Sequence, residues 1–122
     1  MKDIKVVMTG DALEAYKKLN EIVGKEISKG ITKSDNQIIL NSIKQKIEYL
    51  KRKPQFGVHI SRNKIPKEYV LRYDVNNLWK IDLSKYWRMI YTIKGDEVRI
   101  ISLILDIFNH NKYNKKFKYR KN

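Results

Sequence analysis

Four residues of this chain combine side-chain types suited to chemistry on an anion: Lys80, Arg88, His110 and Tyr113. An arginine fork binds two oxygens of one phosphate and keeps its charge at any working pH. A lysine adds a second positive point charge, and histidine is the side chain whose proton comes and goes near neutrality. Tyrosine supplies a ring face or a hydroxyl donor. Lys80 and Arg88 fall in two short segments with strand character, and His110 and Tyr113 follow a third. A cation on each of two neighbouring strands, with a His and a Tyr at the end of the next, would converge on one concave face. Each residue also has a plainer reading. Lys80 reads equally as a solvated strand residue, and Arg88 as a partner of Asp82 or Glu97. His110 reads as a cap after the third strand. Tyr113 reads as core, since Phe117 four residues on would share a helical stripe with it.

The elements that must position these residues run from Leu78 to Tyr113. Leu78–Leu83 alternates, with Leu78, Lys80 and Asp82 on one set of positions and Trp79, Ile81 and Leu83 on the other. Trp87–Ile93 is made of residues that suit a pleated, half-buried surface. Lys94-Gly95-Asp96-Glu97 is a turn signal. Val98–Leu105 is almost continuously aliphatic, as a strand covered on both faces is. These features predict an antiparallel meander whose third strand is central, with Trp79, Trp87 and Tyr91 in the core.

Upstream, Ile4–Met8 predicts a short strand. Asp11 predicts a helix start, with Glu14 completing a capping box, and Gly30 a stop. Leu13, Tyr16, Leu19, Val23 and Ile27 give that helix an apolar stripe. A second helix is expected from Ser34, capped with Gln37, lined by Ile39, Ile43, Ile47 and Leu50 and ended by Pro54. Residues 55–67 predict a long basic loop with a short strand, and the alternating Tyr69–Tyr73 predicts an extra strand. From Asn109 the chain predicts one short helix that then frays. The order predicts a single α+β domain over residues 1–122: an N-terminal strand and a helical hairpin packed on a small, mostly antiparallel twisted sheet, with a short C-terminal helix.

Charge is the most informative bulk property. The chain carries 27 Lys and Arg against 13 Asp and Glu, a net charge of +14, in 122 residues. Solubility does not require that imbalance, and the physical partner of such a surface is a polyanion. A lysine-rich, low-GC proteome is the plainer source. There is no cysteine, which excludes a disulfide framework, a thiol nucleophile and any cysteine-based metal site. Two distant histidines without a carboxylate cluster give no expectation of a metal or other cofactor. The absence of a long apolar run or signal peptide leads to the expectation of a soluble, cytoplasmic protein without a membrane partner.

The pieces Leu78-Trp79-Lys80-Ile81-Asp82-Leu83, Trp87-Arg88-Met89-Ile90-Tyr91, Asp96-Glu97 and Val98–Leu105 resemble the RelE/ParE superfamily of type II toxins. His110-x-x-Tyr113 resembles the ending of the HigB branch. The resemblance covers the whole chain in element order and is specific over about residues 78–113. It implies a toxin neutralised by a cognate antitoxin protein. RelE and HigB branches cut mRNA in the ribosomal A site, so the partners implied are the ribosome and mRNA. In that reading Arg88 clamps the scissile phosphate, Lys80 adds charge, His110 moves the proton, and Tyr113 stacks on a base or donates to the phosphate. His59, Arg62, Lys64, Lys67, Arg72, Lys112, Lys115 and Lys116 would contact RNA phosphates, joined by the trailing Lys118 and Arg120. The chain departs from the RelE pattern in carrying Asp82 where a second Lys is common, and in lacking an Arg near the start of the last element. The alternatives are a ParE-like, non-enzymatic inhibitor of DNA gyrase, or a non-toxic module of the same fold that binds RNA or a partner.

Overall fold

The strand anticipated from the aliphatic run Val98–Leu105 lies inside the sheet. In the computed structural model, which describes residues 2–117, it runs Arg99–Asn109 (β5). It is flanked on one side by Asp3–Met8 (β1), parallel, and on the other by Trp87–Gly95 (β4), antiparallel. Leu78–Asp82 (β3) pairs with β4, and Val58–Ile60 (β2) closes the far edge. The order β1-β5-β4-β3-β2 makes a mostly antiparallel sheet with one parallel pair. β5 runs four residues past the aliphatic stretch, because Asp106, Ile107, Phe108 and Asn109 continue to pair with β4, whose register shifts once at Ile90/Tyr91. Val98 sits before the strand, 69% exposed.

The helical hairpin is Gly10–Ser28 (α1) and Asp35–Arg52 (α2). It covers the sheet face built from Ile81, Met89, Tyr91, Ile104 and Ile107, with Trp79, Trp87 and Ile93 at its margin. All three aromatics expected in the core, Trp79, Trp87 and Tyr91, are there. Within the hairpin, Leu19, Val23, Ile39, Ile43 and Leu50 are buried, whereas Leu13 and Ile27 at the ends of the α1 stripe are exposed.

The hairpin's turn is tightly specified. Gly30 takes φ +81, a conformation open to glycine. The Gly30 amide donates to the Ile27 carbonyl and the Ile31 amide to the Glu26 carbonyl, which closes α1. Ser34 caps α2 by accepting from the Gln37 amide. Its hydroxyl, Asn36 and the Gln37 side chain all donate to the Glu26 carboxylate. Those bonds, the Ser34 hydroxyl foremost, hold the Glu26 carboxyl below the ordinary range.

Two expectations are corrected. Asp11 is not the cap of α1. Thr9 holds that position without a side-chain bond, and Asp11 instead pairs with Arg72 at 2.8 Å, so no capping box with Glu14 forms. Nor is Tyr69–Tyr73 a strand: Lys67–Tyr73 is a helix (α3) ended by Asp74 in the left-handed region. The segment satisfies both periods, since Tyr69 and Tyr73 are four apart. The choice is made by ring contacts, Tyr69 lying 6.5 Å from Tyr73 and 5.9 Å from Phe117.

α3 and the C-terminal helix His110–Phe117 (α4) cover the second face of the sheet. Tyr69, Val75, Leu78, Ile90, Leu105, Phe108 and Tyr113 form its core. The expected fraying tail, with Lys118 and Arg120, lies outside the described residues.

Candidate functional site on the α3/α4 face of the sheet

Strand alternation sends Leu78, Lys80 and Asp82 of β3 to the α3/α4 face, together with Arg88 and Ile90 of β4. Lys80 lies opposite Ile90, and Asp82 opposite Arg88. Both cations are largely covered, their side chains 22% and 16% exposed. Lys80 Nζ and Arg88 Cζ each lie 5.5 Å from the centroid of Tyr113, within reach of its π-face. Tyr113 comes from α4, where its ring stacks on Phe117 at 4.5 Å and meets Phe108 at 6.1 Å. Only 3% of it is exposed. The ring is therefore a floor that spaces the two cations, and its faces are closed to an incoming base.

Asp82 tempers the charge. Its carboxylate, 66% exposed, lies 2.9 Å from Arg88 Nε and 3.9 Å from Lys80 Nζ. The Arg88 contact is an ion pair rather than a hydrogen bond: Nε has no aligned acceptor, and Nη1 donates to the Trp87 carbonyl. This is the cross-strand pairing that the sequence left open as the plainer reading of Arg88.

His110 begins α4 and is exposed. Asn114, one turn on, lies 3.1 Å from its Nε2; with the amide donating, Nε2 carries the lone pair. On its other side the imidazole centroid is 6.4 Å from that of Tyr86. Tyr86 in turn lines an open hollow of about 730 Å³ with Asp82, Lys85, Arg88 and Ile38. Arg88 and His110 thus share one neighbour, Tyr86. Lys80 and Arg88 are brought together over the Tyr113 ring, and His110 is linked to Arg88 only through Tyr86.

The other cations divide by what they touch. Arg62, Lys64, Lys67, Lys112 and Lys115 are exposed. Lys64, Lys67 and Lys115 border a second hollow, of about 760 Å³, with Glu68 and Lys116. His59 sits on the edge strand, edge-on to Trp79 at 5.0 Å and so on the α1/α2 side of the sheet. Arg72 ties α3 to the start of α1, and its hydrogen bond holds the Asp11 carboxyl below the ordinary range. Lys116 is turned inward, its side chain 16% exposed, 3.2 Å from Glu68 and 3.5 Å from Asp106.

The sequence reading did not single out Asp106. It is 3% exposed and accepts from the Tyr69 hydroxyl at 2.8 Å. Burial pushes its carboxyl up despite that bond and the nearby Lys116, and burial raises the Tyr69 hydroxyl as well. Burial alone would lower the Lys116 ammonium, but Asp106 and Glu68 outweigh it and the net shift is upward. This network fastens both small helices to β5, beneath the site. A lone Asp inside an aliphatic strand was the available signal. Among the described residues, no group of three or more His, Cys, Asp or Glu is arranged to hold a metal ion, and no helix is long and apolar enough to cross a membrane.

With this geometry in view, a solved structure described as a YoeB/ParE toxin from Agrobacterium tumefaciens superposes with a TM-score of 0.52. It covers 87% of this chain and 98% of its own, at 18% identity. The fold is that of the YoeB/ParE toxins. At that identity the likeness is one of architecture: the RelE/ParE-type sheet with a helical hairpin on one face, here with α3 and α4 on the other. No protein-family model matches the chain. A curated sequence, the 5-methyltetrahydropteroyltriglutamate–homocysteine methyltransferase of Buchnera aphidicola subsp. Schizaphis graminum, is 33% identical over 82 residues, 56% of this chain. That match spans only 11% of the methyltransferase. None of that enzyme's activity is carried over to this chain.

Proposed function

We propose that this protein is the toxin of a type II toxin–antitoxin pair, acting as a metal-independent, ribosome-dependent mRNA endonuclease, and that it resides in the cytoplasm with a cognate antitoxin as partner. The observation that carries the reading is the placement of Lys80 and Arg88 on adjacent strands, 5.5 Å from one buried ring, on the helix that His110 begins. The YoeB/ParE fold supports it.

Cleavage of RNA without a metal needs a base for the 2′-OH proton, a cation for the in-line phosphorane, and an acid for the leaving oxygen. In this reading the 2′-oxygen attacks phosphorus, its proton passes to His110 Nε2, which exchanges its hydrogen bond from Asn114 for one from the substrate, and the P–O5′ bond breaks. The imidazolium so formed returns that proton to the departing 5′-oxygen, giving a 2′,3′-cyclic phosphate and a 5′-hydroxyl. Arg88 and Lys80 hold the non-bridging oxygens, and Tyr113 fixes the cations from below. Arg62, Lys64, Lys67, Lys112 and Lys115 supply sequence-independent attraction to ribosomal RNA. His59, Arg72 and Lys116 contribute to the fold that presents them.

A second reading has its own observation. Asp82 neutralises part of the cationic pair, which suits a non-enzymatic inhibitor of gyrase or a binding module. Toeprinting on translating ribosomes separates the two. Truncated message supports the nuclease, and intact message accompanied by DNA damage supports gyrase inhibition.

A further inference from the structure

We infer that Tyr86 is a stacking platform for an unpaired base of single-stranded RNA, next to the phosphate held by Arg88; this rests on the nuclease reading. The turn between β3 and β4 is built at a cost. Lys85 and Tyr86 both take positive φ, 59 and 62, a region that side chains other than glycine enter rarely. Lys85 is held at 3.3 Å from Asp35 of α2, which anchors the turn. The outcome is a tyrosine presented outward, 75% exposed, whereas Tyr91 of β4 is buried and Trp79 and Trp87 are half-buried against the core.

Its surroundings suit a base rather than solvent. Tyr86 borders the hollow that contains Arg88 and Asp82, and Ile38 of α2, 42% exposed, offers an apolar wall there. The imidazole of His110 lies 6.4 Å away, tilted by 59°. An exposed ring, an apolar wall and a guanidinium around one opening, with an imidazole beside the ring, match the needs of a nucleotide: a π-face for the base and a fork for its phosphate. Tyr113, the tyrosine expected to stack, is closed beneath the cations. Tyr86 takes that task and Tyr113 keeps a positioning one.

The test uses the full chain and a dye-labelled hexaribonucleotide of adenine, beside the same oligomer carrying abasic sites. Wild type, Tyr86→Leu, Tyr86→Phe and Arg88→Ala are titrated by fluorescence anisotropy. Tyr86→Leu should weaken binding of the base-bearing oligomer about 5- to 150-fold, the ~1–3 kcal/mol carried by one stacked base. Tyr86→Phe should stay within about twofold of wild type, because the π-face remains. Wild type should bind the abasic oligomer as weakly as Tyr86→Leu does. Equal binding by Tyr86→Leu and wild type, with Arg88→Ala still weakened, would overturn the stacking role alone. An equal loss on the abasic oligomer would also overturn it, since that loss owes nothing to a base. Full binding by Arg88→Ala would overturn the phosphate clamp and the stacking role together.

Discussion

Asp82→Asn isolates the electrostatics of the site with little disturbance to the fold. The Asp82 side chain is 66% exposed and touches Arg88 and Lys80 only at the solvent margin. Exposed ion pairs contribute about 0–1 kcal/mol. Unfolding should therefore shift by no more than a few degrees, at ~2–8 °C per kcal/mol for domains of this size. Binding should change more. A phosphate seated on Arg88 would lie about 4–5 Å from a carboxylate already 2.9 Å from Nε. Like charges at that range repel by about 1 kcal/mol in a water-like medium, and salt screens little at distances below the ~8 Å Debye length. Removing the charge should tighten binding of a short oligoribonucleotide about fivefold, ~1 kcal/mol. Fluorescence anisotropy at two salt concentrations reads this directly. Unchanged or weaker binding, with unfolding unaltered, would refute the placement of the phosphate beside Arg88.

Other consequences concern the scaffold. Asp106→Asn should change the shape of the stability–pH curve. The folded carboxyl lies above its ordinary value of 3.8, so its contribution is full below that value and is lost as pH rises through the folded one. Thermal unfolding across the acid range should show that loss in wild type and lack that component in the variant. Gly57→Ala should destabilise by about 1–3 kcal/mol, because a Cβ there meets the Lys80 carbonyl at 2.7 Å and the Tyr91 hydroxyl at 2.8 Å; urea unfolding measures it. Gly24→Ala should stabilise by about 0.5–1 kcal/mol, since a Cβ there meets nothing within 4 Å in mid-helix. A loss of stability in the same urea experiment would contradict that.

Signals confined to neighbouring residues were legible in the sequence. The aliphatic run of β5, the Ser34 cap and the Gly30 stop each depend on a few adjacent positions, and all lie where expected. For Arg88 the sequence left Asp82 and Glu97 open as partners, and strand register across a short turn selects Asp82. What the sequence hid depends on partners far along the chain. Asp11 looks like a cap until Arg72, sixty-one residues on, takes its carboxylate. Tyr69–Tyr73 alternates like a strand until Phe117 packs against Tyr69. Lys116 looks like one more surface cation until Asp106 and Glu68 draw it inward. Tyr86 was hidden because nothing in Ser84-Lys85-Tyr86 announces two consecutive left-handed residues. In the candidate site, residue types were readable, and so was the core reading of Tyr113 through Phe117, four residues on; that Tyr86 stands open was not.

The most direct test of the central claim is primer extension on message from translating ribosomes incubated with the purified chain. Wild type should generate new 5′ ends within the message, while Arg88→Ala and His110→Ala, at matched stability, leave the message at least about a hundredfold less cut. Uncut message with wild type, or wild-type cutting by both variants, would contradict the account.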